Sequence, residues 1–517
     1  MSEPTAPVII SDKDFHDLIA KRVQALLGLA KYLSNCKSVE AALTRPFLGE
    51  FLSQSMQIEE VLDSYDARNN CQWCTFRSLT AATKLFSDVS YELLHILHAL
   101  PAYRLMPIEH DFVRATKETL AFTGGVLQCS ARQMLARAEQ LGLTIPPGDL
   151  QENSYSEELP PGRLPHDCEA RRTETMAETV TLLATAFLNL AAESERVRAA
   201  GRAKREEYAM YVCDTVTEEN LRTLELRFHN LQSLYDTFVS GTEVEDMDDD
   251  LPVLRGHISV VFHLLRTATL FAHYYERHVN KEPCPLASLR EPLVKAEELL
   301  AQLMNYSIAH IGLYIACAEK LCQEMLKRYA EVGEIEVPIP PYRGFHVRPS
   351  TLISKLVLHY GSSVRMQLDK DFYDASSPLE LFRANEKINA AKRRWLAAEI
   401  GKIELIRQAP SNAEINTVVR DIVLKLAKES KLILYDRPLQ MPEDSGHEEG
   451  TLLQRVNDKM AQLLALGKID IETDMTARFI GDKRVLADIK LLAESGYGED
   501  QFGNNIALPE KLQYLRR

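Results

Sequence analysis

Apolar residues recur at helical spacing through roughly the first 330 positions of the chain. Ser11 is a favourable N-cap residue, and the apolar residues that follow share one helical face from Leu18 to Ala30. Further helical runs are predicted at about 48–65, 75–99 and 109–141, and again at about 170–215, 217–240, 252–279 and 288–331. Such helices bury their apolar stripes against one another, so we predict two helical bundles.

The two helical blocks are separated by 144–168, which is rich in Pro, Gly, Ser and acidic residues and has no hydrophobic period. We predict a linker there. Segments 58–70 and 231–243 share a pattern, and each precedes a long apolar helix rich in His and Leu. Either a weak internal duplication or the general likeness of amphipathic helices would explain this similarity.

The hydrophobic period changes near residue 332. Ile335, Val337 and Ile339 recur with period two, and Pro338 with the prolines after it forbids a helix. The predicted fold class is therefore α+β and predominantly α-helical. The predicted domains are a helical bundle at 1–145, a linker at 146–169, a second bundle at 170–332, a domain of mixed strands and helices at 333–440 and a helical extension at 441–517.

The pattern also predicts the order of elements within the mixed domain. A strand at 335–343 leads into an amphipathic helix that ends at Gly361, and strands follow at about 364–368 and 372–374. Ser377 as N-cap, with Pro378 at the first helical position, begins a long helix. The predicted apolar side of that helix comprises Leu381, Phe382, Ile388, Trp395, Leu396, Ile400 and Ile403. The candidate fourth strand is Lys431–Asp436.

The segment Gly344-Phe345-His346-Val347-Arg348-Pro349-Ser350 places a histidine where the first of these helices begins. A neutral imidazole is abundant near pH 7, and its nitrogen is a nucleophile that can accept a phosphoryl group. At a helix start the phosphoryl oxygens meet free N–H groups, here at Val347 and Ser350, while Pro349 fixes the first turn. Arg348 can add a forked, charge-assisted contact to the phosphoryl group.

This segment resembles the G-x-H-x-R-P-[AS] motif of HPr, the histidine phosphocarrier of the phosphotransferase system, at every fixed position. The resemblance implies a βαββαβα open-faced sandwich in which His346 accepts a phosphoryl group from a phosphoenolpyruvate-dependent enzyme I. The group would then pass to an unknown acceptor or serve as a regulatory signal. Firm resemblance covers 335–382, and a looser one extends to 436.

The same resemblance implies two further sets of residues. Many HPr proteins carry a regulatory serine 31 residues after the histidine, and Ser377 stands at that spacing, so it is a candidate regulatory phosphosite. Its role as N-cap explains it equally well. Thr351, Pro378 and Leu379 are expected to contribute to the surface that docks protein partners.

The chain departs from HPr after the second helix of the mixed domain. HPr turns quickly into its fourth strand, whereas here a long basic helix runs from Leu379 to Arg407. We therefore expect a specialised or regulatory relative. A protein-interaction scaffold that does not transfer phosphate, with His346 as a helix cap, is the alternative.

Composition narrows the class of protein. A formal net charge of −14 argues against a general nucleic-acid binder, because phosphate backbones require a basic surface. Nine cysteines at irregular spacing favour a reducing compartment. The N-terminus has no basic and then apolar signal pattern, and no apolar stretch reaches 18 residues. We expect a cytoplasmic protein with no membrane insertion.

Other chemistry-bearing residues give weaker signals. Cys71 and Cys74 form a lone C-x-x-C pair without the second pair that zinc would need. The helix at 252–279 carries four histidines, namely His257, His263, His273 and His278. They are most simply core or interface residues. A third hypothesis for the protein is an enzyme that uses these histidines to bind a metal or cofactor. We expect neither a cofactor nor a metal site.

Overall fold

The computed structural model describes residues 9–148, 155–157, 176–280, 292–403, 414–435, 438–441, 450–471 and 474–516. They form two compact units, Met1–Cys322 and Gln323–Arg517. The protein is mostly helical with a small antiparallel sheet, which confirms the predominantly α-helical α+β class. Most of the predicted linker lies outside the described residues.

The regular secondary structure of the first unit is entirely helical among its described residues. Ser11 caps the first helix as predicted, and its hydroxyl accepts the N–H of Asp14. The helices are α1 (Asp12–Arg22), α2 (Gln24–Asn35), α3 (Val39–Ala42), α4 (Arg45–Ser64), α5 (Cys74–Tyr103), α6 (Phe112–Gln140), α7 (Met176–Glu193), α8 (Glu195–Ala200), α9 (Tyr208–Asp214), α10 (Glu218–Phe238), α11 (Glu243–Met247), α12 (Asp250–Tyr274), α13 (Ala296–Ala301) and α14 (Ala309–Arg328).

Helices α5 and α12 pack against each other at the centre of this unit. Helix α5 also contacts α4 and α6, and α12 also contacts α10. Both central helices are buried on several faces, so each needs neighbours on more than one side. The two predicted bundles are therefore parts of one packed unit.

One helical run among the described residues, Ala296–Arg328, is long and apolar enough by composition to cross a membrane. It includes the π-helical segment Gln302–Ile308 between α13 and α14. Of its most apolar window, 61% is buried inside the protein, as is usual for a core helix of a bundle.

Gly256 allows α12 to approach the end of α5. A Cβ atom at this position would lie 1.6 Å from the carbonyl oxygen of Tyr103, far inside van der Waals contact. We expect Gly256→Ala to destabilise the unit by about 3 kcal/mol through overpacking. Gly312→Ala is the matched control, because nothing lies within 4 Å of its Cβ position. Chemical denaturation followed by far-ultraviolet circular dichroism measures both; equal midpoints for the two variants would contradict this account of the helix contact.

The second unit contains all the strands of the described residues. Its chain order is strand, helix, two strands, helix, an insertion, strand and helix. The elements are β1 (Val332–Pro338), α15 (Val347–Tyr360), β2 (Val364–Leu368), β3 (Asp371–Asp374), α16 (Pro378–Lys402), α17 (Ile415–Lys428), β4 (Ile433–Leu434), α18 (Leu452–Ala465), β5 (Ile469–Asp470), β6 (Thr476–Asp482) and α19 (Lys483–Glu494). The predicted start of α16 at Ser377 and Pro378 is confirmed.

The main sheet is antiparallel and has the order β1-β6-β2-β3. Phe479 in β6 lies opposite Ile335 on one side and Met366 on the other. Alternate residues of β2 and β6 are buried, α19 packs against β1 and β6, and α15 packs against α19. The opposite face carries exposed polar side chains, among them Arg365 and Arg478.

The prediction of a fourth strand at Lys431–Asp436 is wrong. Ile433–Leu434 pairs with Ile469–Asp470 in a separate two-stranded sheet, and the fourth strand of the main sheet is β6. In β6 the buried Ala477 and Phe479 alternate with exposed residues, which is the ordinary strand signal. The predicted boundary at 440/441 therefore divides elements that belong to one sheet.

Residues 414–471, here called the inserted subdomain, lie in the chain between α16 and β6. The subdomain shares a hydrophobic core with the C-terminal half of α16. Its buried members are Leu396, Ile400, Ile403, Val419, Ile422, Val423, Leu426, Leu432, Val456, Met460, Leu463, Leu464, Ile469 and Ile471. The unusual length of α16 is explained by this second core.

Candidate functional site

The loop before His346 is held in a specific backbone conformation. Arg343 and Gly344 both have left-handed φ angles, 54° and 62°. Gly344 lies against Asn385 of α16, and a Cβ there would come within 2.5 Å of the Asn385 side-chain oxygen. The Asn385 amide nitrogen donates to the Arg343 carbonyl at 3.1 Å. Helix α16 therefore fixes the turn that delivers His346 to the start of α15.

Helix α15 begins immediately after His346, which is its N-cap residue. The backbone N–H groups of Val347 and Arg348 donate to no acceptor among the described residues, and Pro349 has no N–H. Ser350, expected to offer a free N–H, instead donates its backbone N–H to the His346 carbonyl at 3.2 Å, and its buried hydroxyl donates to the Phe345 carbonyl at 2.8 Å. The first turn of α15 thus presents donors that are available to an anion.

The His346 side chain does not cap the helix. Its Nε2 lies 2.8 and 2.9 Å from the two carboxylate oxygens of Glu499. A carboxylate only accepts hydrogen bonds, so in the neutral ring Nε2 carries the proton and Nδ1 keeps its lone pair. Nδ1 has no hydrogen-bond partner among the described residues, and the side chain is 20% exposed. The contact with Glu499 thus favours the neutral tautomer that leaves the Nδ1 lone pair available.

Glu499 was not predicted as a site residue, and its side chain is fully buried. Arg348 donates to the Glu499 carboxylate at 2.9 Å and to the Gly503 carbonyl at 2.8 Å. Two cationic or donor groups thus compensate a buried carboxylate, which would otherwise be strongly unfavourable. Arg348 lies at the predicted site, but its guanidinium is engaged by the C-terminal segment.

The turn that carries Glu499 is organised by Asp500. The Asp500 carboxylate accepts hydrogen bonds from the Asn504 side chain and from the backbone of Phe502 and Asn504, which lowers its pKa. Gly503 has a φ of 80° and lies against the ring of Tyr342, where a Cβ would be 2.5 Å from a ring carbon. Glycine thus permits this turn to close over the site.

An aromatic row links His346 to the inserted subdomain. The Tyr342 ring lies edge-on to the His346 ring at 5.5 Å and to the Tyr435 ring at 5.2 Å. Tyr435 comes directly after β4 and also contacts Phe502. Burial raises the pKa of the Tyr435 hydroxyl, which lacks a hydrogen-bond partner among the described residues.

A buried ion pair provides a second link. Lys392 of α16 and Asp470 of β5 form a 2.6 Å contact, with side chains 2% and 4% exposed. Asp470 also accepts the backbone N–H of Arg343 at 3.2 Å and that of Ile471 at 2.8 Å. Asp470 thus ties the inserted subdomain to the loop that leads to His346.

The predicted docking residues lie around the starts of α15 and α16, which pack together. Leu379 is 68% exposed, Pro378 is exposed, and Thr351 is half-buried with its hydroxyl bonded to the Val347 carbonyl. Val347 is 71% exposed. Phe382, which the sequence assigns to the apolar side of its helix, is 46% exposed and adds to the apolar surface of Val347 and Leu379. Trp395, assigned to the same side, is also partly exposed.

Ser377 lies at the N-terminus of α16, where its hydroxyl accepts the N–H of Glu380 at 3.3 Å. Its backbone N–H donates to the Asp374 carbonyl. The side chain is half-buried and performs the capping role that its sequence position favours. This geometry is fully accounted for by helix capping.

The other candidate residues occupy structural positions. His263 pairs with the buried Glu92 at 2.6 Å, and His257 bonds to the Val253 carbonyl. Cys71 is exposed and Cys74 is buried, and neither forms a disulfide. Within the described part of the chain no group of three or more His, Cys, Asp or Glu residues is arranged to hold a metal ion.

Comparison of the chain with protein-family models, with curated proteins and with solved structures gives no match.

Proposed function

We propose that this protein is a phosphocarrier of the HPr type that accepts a phosphoryl group on Nδ1 of His346. The observation that supports this most directly is the state of the imidazole. Glu499 accepts the Nε2–H, Nδ1 has no partner among the described residues, and His346 directly precedes the open N–H groups of α15. A histidine retained only as a helix cap would be expected to bond to that helix, and this one does not.

The proposed transfer needs no further group in the site. The Nδ1 lone pair attacks phosphorus in the phosphorylated donor; the donor's bond to phosphorus breaks as the N–P bond forms, and its electron pair leaves with the donor. The ring becomes cationic, with its proton on Nε2, and the Glu499 carboxylate stabilises that charge. The N–H groups of Val347 and Arg348 stabilise the phosphoryl oxygens.

The order of elements also supports the proposal. The βαββαβα order that the resemblance implies is the order of the main sheet and its helices, once the inserted subdomain is set aside. The long helix α16, which departs from an ordinary HPr, carries the core of that insertion. A carrier with a regulatory addition fits this arrangement better than a simple sugar-transport carrier.

The proposed partner surface surrounds His346. It consists of exposed apolar side chains at the starts of α15 and α16, namely Val347, Leu379 and Phe382, together with Pro378 and Thr351. Exposed apolar groups next to a reactive centre are typical of a protein-docking surface. The donor would be a phosphoenolpyruvate-dependent enzyme I, and we place the exchange in the cytoplasm. The acceptor is a protein that the chain's own residues do not identify.

The direct test is phosphoryl acceptance by the purified full chain. The protein is incubated with enzyme I and radiolabelled phosphoenolpyruvate, and bound label is measured with and without acid. Acid-labile, base-stable label is expected on the protein and is expected to be absent from His346→Ala. His359→Ala is the control, because His359 lies in the last turn of the helix that begins after His346. Absence of label with every enzyme I tried would favour the scaffold function.

A further inference from the structure

The inserted subdomain contains a cavity that the proposed phosphoryl transfer does not use. Its volume is about 570 Å³, within the usual range for small-molecule sites. The walls come from α17 and from the chain around β4. The lining residues are Arg420, Leu424, Ala427, Lys428, Leu434, Pro438 and Leu439.

The lining combines an apolar surface with positive charge. Arg420, Leu424 and Lys428 recur every four residues on α17 and therefore share one stripe, with the two cations about 12 Å apart along the axis. Leu424 is 45% exposed. Among the described residues no acidic side chain lines the cavity, and neither cation forms an ion pair with any of them.

This combination selects the chemical class of the occupant. An apolar body would cover Leu424, Leu434 and Leu439, and an anionic head would pair with the cations. Arginine binds a carboxylate through two parallel N–H bonds, so Arg420 is the better head-group residue, and Lys428 adds positive potential. We propose that the cavity binds a small amphipathic carboxylate and that its occupancy is transmitted to His346.

The path for transmission is short and contiguous. Leu434 of β4 lines the cavity, and the next residue, Tyr435, contacts Tyr342, which contacts His346. The pairing partner of β4 is β5, which carries Asp470 and its bond to the Arg343 N–H. A ligand that moves β4 therefore acts on both links between the inserted subdomain and the His346 loop. Binding and transmission are properties of the unphosphorylated protein, so both are tested without phosphoryl transfer.

Binding is tested by isothermal titration calorimetry of the full chain with octanoate, compared with octanol and octylamine. Saturable one-to-one binding of octanoate is expected, with weaker binding of the other two chains. Arg420→Gln is expected to weaken octanoate binding about tenfold or more. Lys425→Gln is the matched control, since this exposed cation lies on the same helix outside the cavity. Equal affinity for octanol, or equal loss in the two variants, would overturn the carboxylate site.

Transmission is tested by the imidazole resonances of His346 in the histidine-labelled full chain, assigned with His346→Gln. Octanoate is expected to shift them in the parent protein and in Lys425→Gln. The shift is expected to be lost in Arg420→Gln and in Tyr435→Leu, while Tyr435→Leu still binds octanoate. Unchanged His346 resonances at saturating octanoate would overturn the transmission.

Discussion

Replacing Lys392 by methionine is expected to lower the free energy of unfolding of the second unit by about 3–5 kcal/mol. The variant removes the partner of Asp470 and leaves a carboxylate that is 4% exposed without its counter-charge. Such an uncompensated buried charge is far more unfavourable than the loss of an ordinary ion pair. The double variant Lys392→Met and Asp470→Leu is expected to recover part of the loss, because it removes both charges.

The measurement is guanidinium unfolding followed by tryptophan fluorescence. The chain has two tryptophans, and Trp395 lies on α16 three residues from Lys392. All variants are made with Trp73→Phe, so Trp395 alone reports. Lys387→Met is the control, since Lys387 of the same helix pairs at the surface with Asp371 of β3, and a change within about 1 kcal/mol is expected. Equal effects of Lys387→Met and Lys392→Met would show that burial of the pair does not matter.

The local signals in the sequence predict much of the mixed domain. The start of α16 at Ser377, the end of α15 at Gly361 and the strand at Val364–Leu368 all depend on neighbouring residues, and all are confirmed. Capping residues and the hydrophobic period act within one or two helical turns, so a single sequence is sufficient to identify them. The motif that places His346 at the start of a helix is also made of neighbouring residues, so the sequence alone predicts it.

Local signals of this kind could not predict the contacts at the site between residues that are far apart in the sequence. Glu499 contacts His346 although 153 positions separate them in the sequence. The residues around Glu499 show only a polar, glycine-containing pattern. Asp470 and Tyr435 belong to an insertion whose two short strands pair with each other and not with the main sheet. Strand pairing depends on the contacts of the whole fold, and the β4 pattern alone does not distinguish the two sheets.

Exposure on α16 shows a similar limit. Helical period places Phe382 and Trp395 on the apolar side, yet both are partly exposed, while the charged Lys392 is buried. The helix contacts the main domain at its start and the inserted core at its end, so its buried face changes along its length. A single apolar stripe therefore does not describe a helix that packs against two different hydrophobic cores.

Replacing Glu499 by glutamine is expected to slow phosphoryl acceptance by His346 about 100-fold. An amide can donate to Nε2 as readily as it can accept from it, so the proton is no longer confined to Nε2. The population with Nδ1 protonated has no lone pair for attack. The variant also lacks the negative charge that stabilises the cationic ring after transfer.

Two measurements separate this positioning role from a purely structural one. Nitrogen chemical shifts of His346 are expected to show Nδ1 without a proton in the parent protein and partly protonated in Glu499→Gln. Initial rates of label incorporation are expected to fall in the same variant and to stay unchanged in Glu510→Gln, an exposed position in the same C-terminal segment. The opposite result is equally informative, because Glu499 also engages Arg348. Faster acceptance in Glu499→Gln would show that releasing Arg348 outweighs the loss of the fixed tautomer, and that the carboxylate blocks the phosphoryl site instead of preparing it.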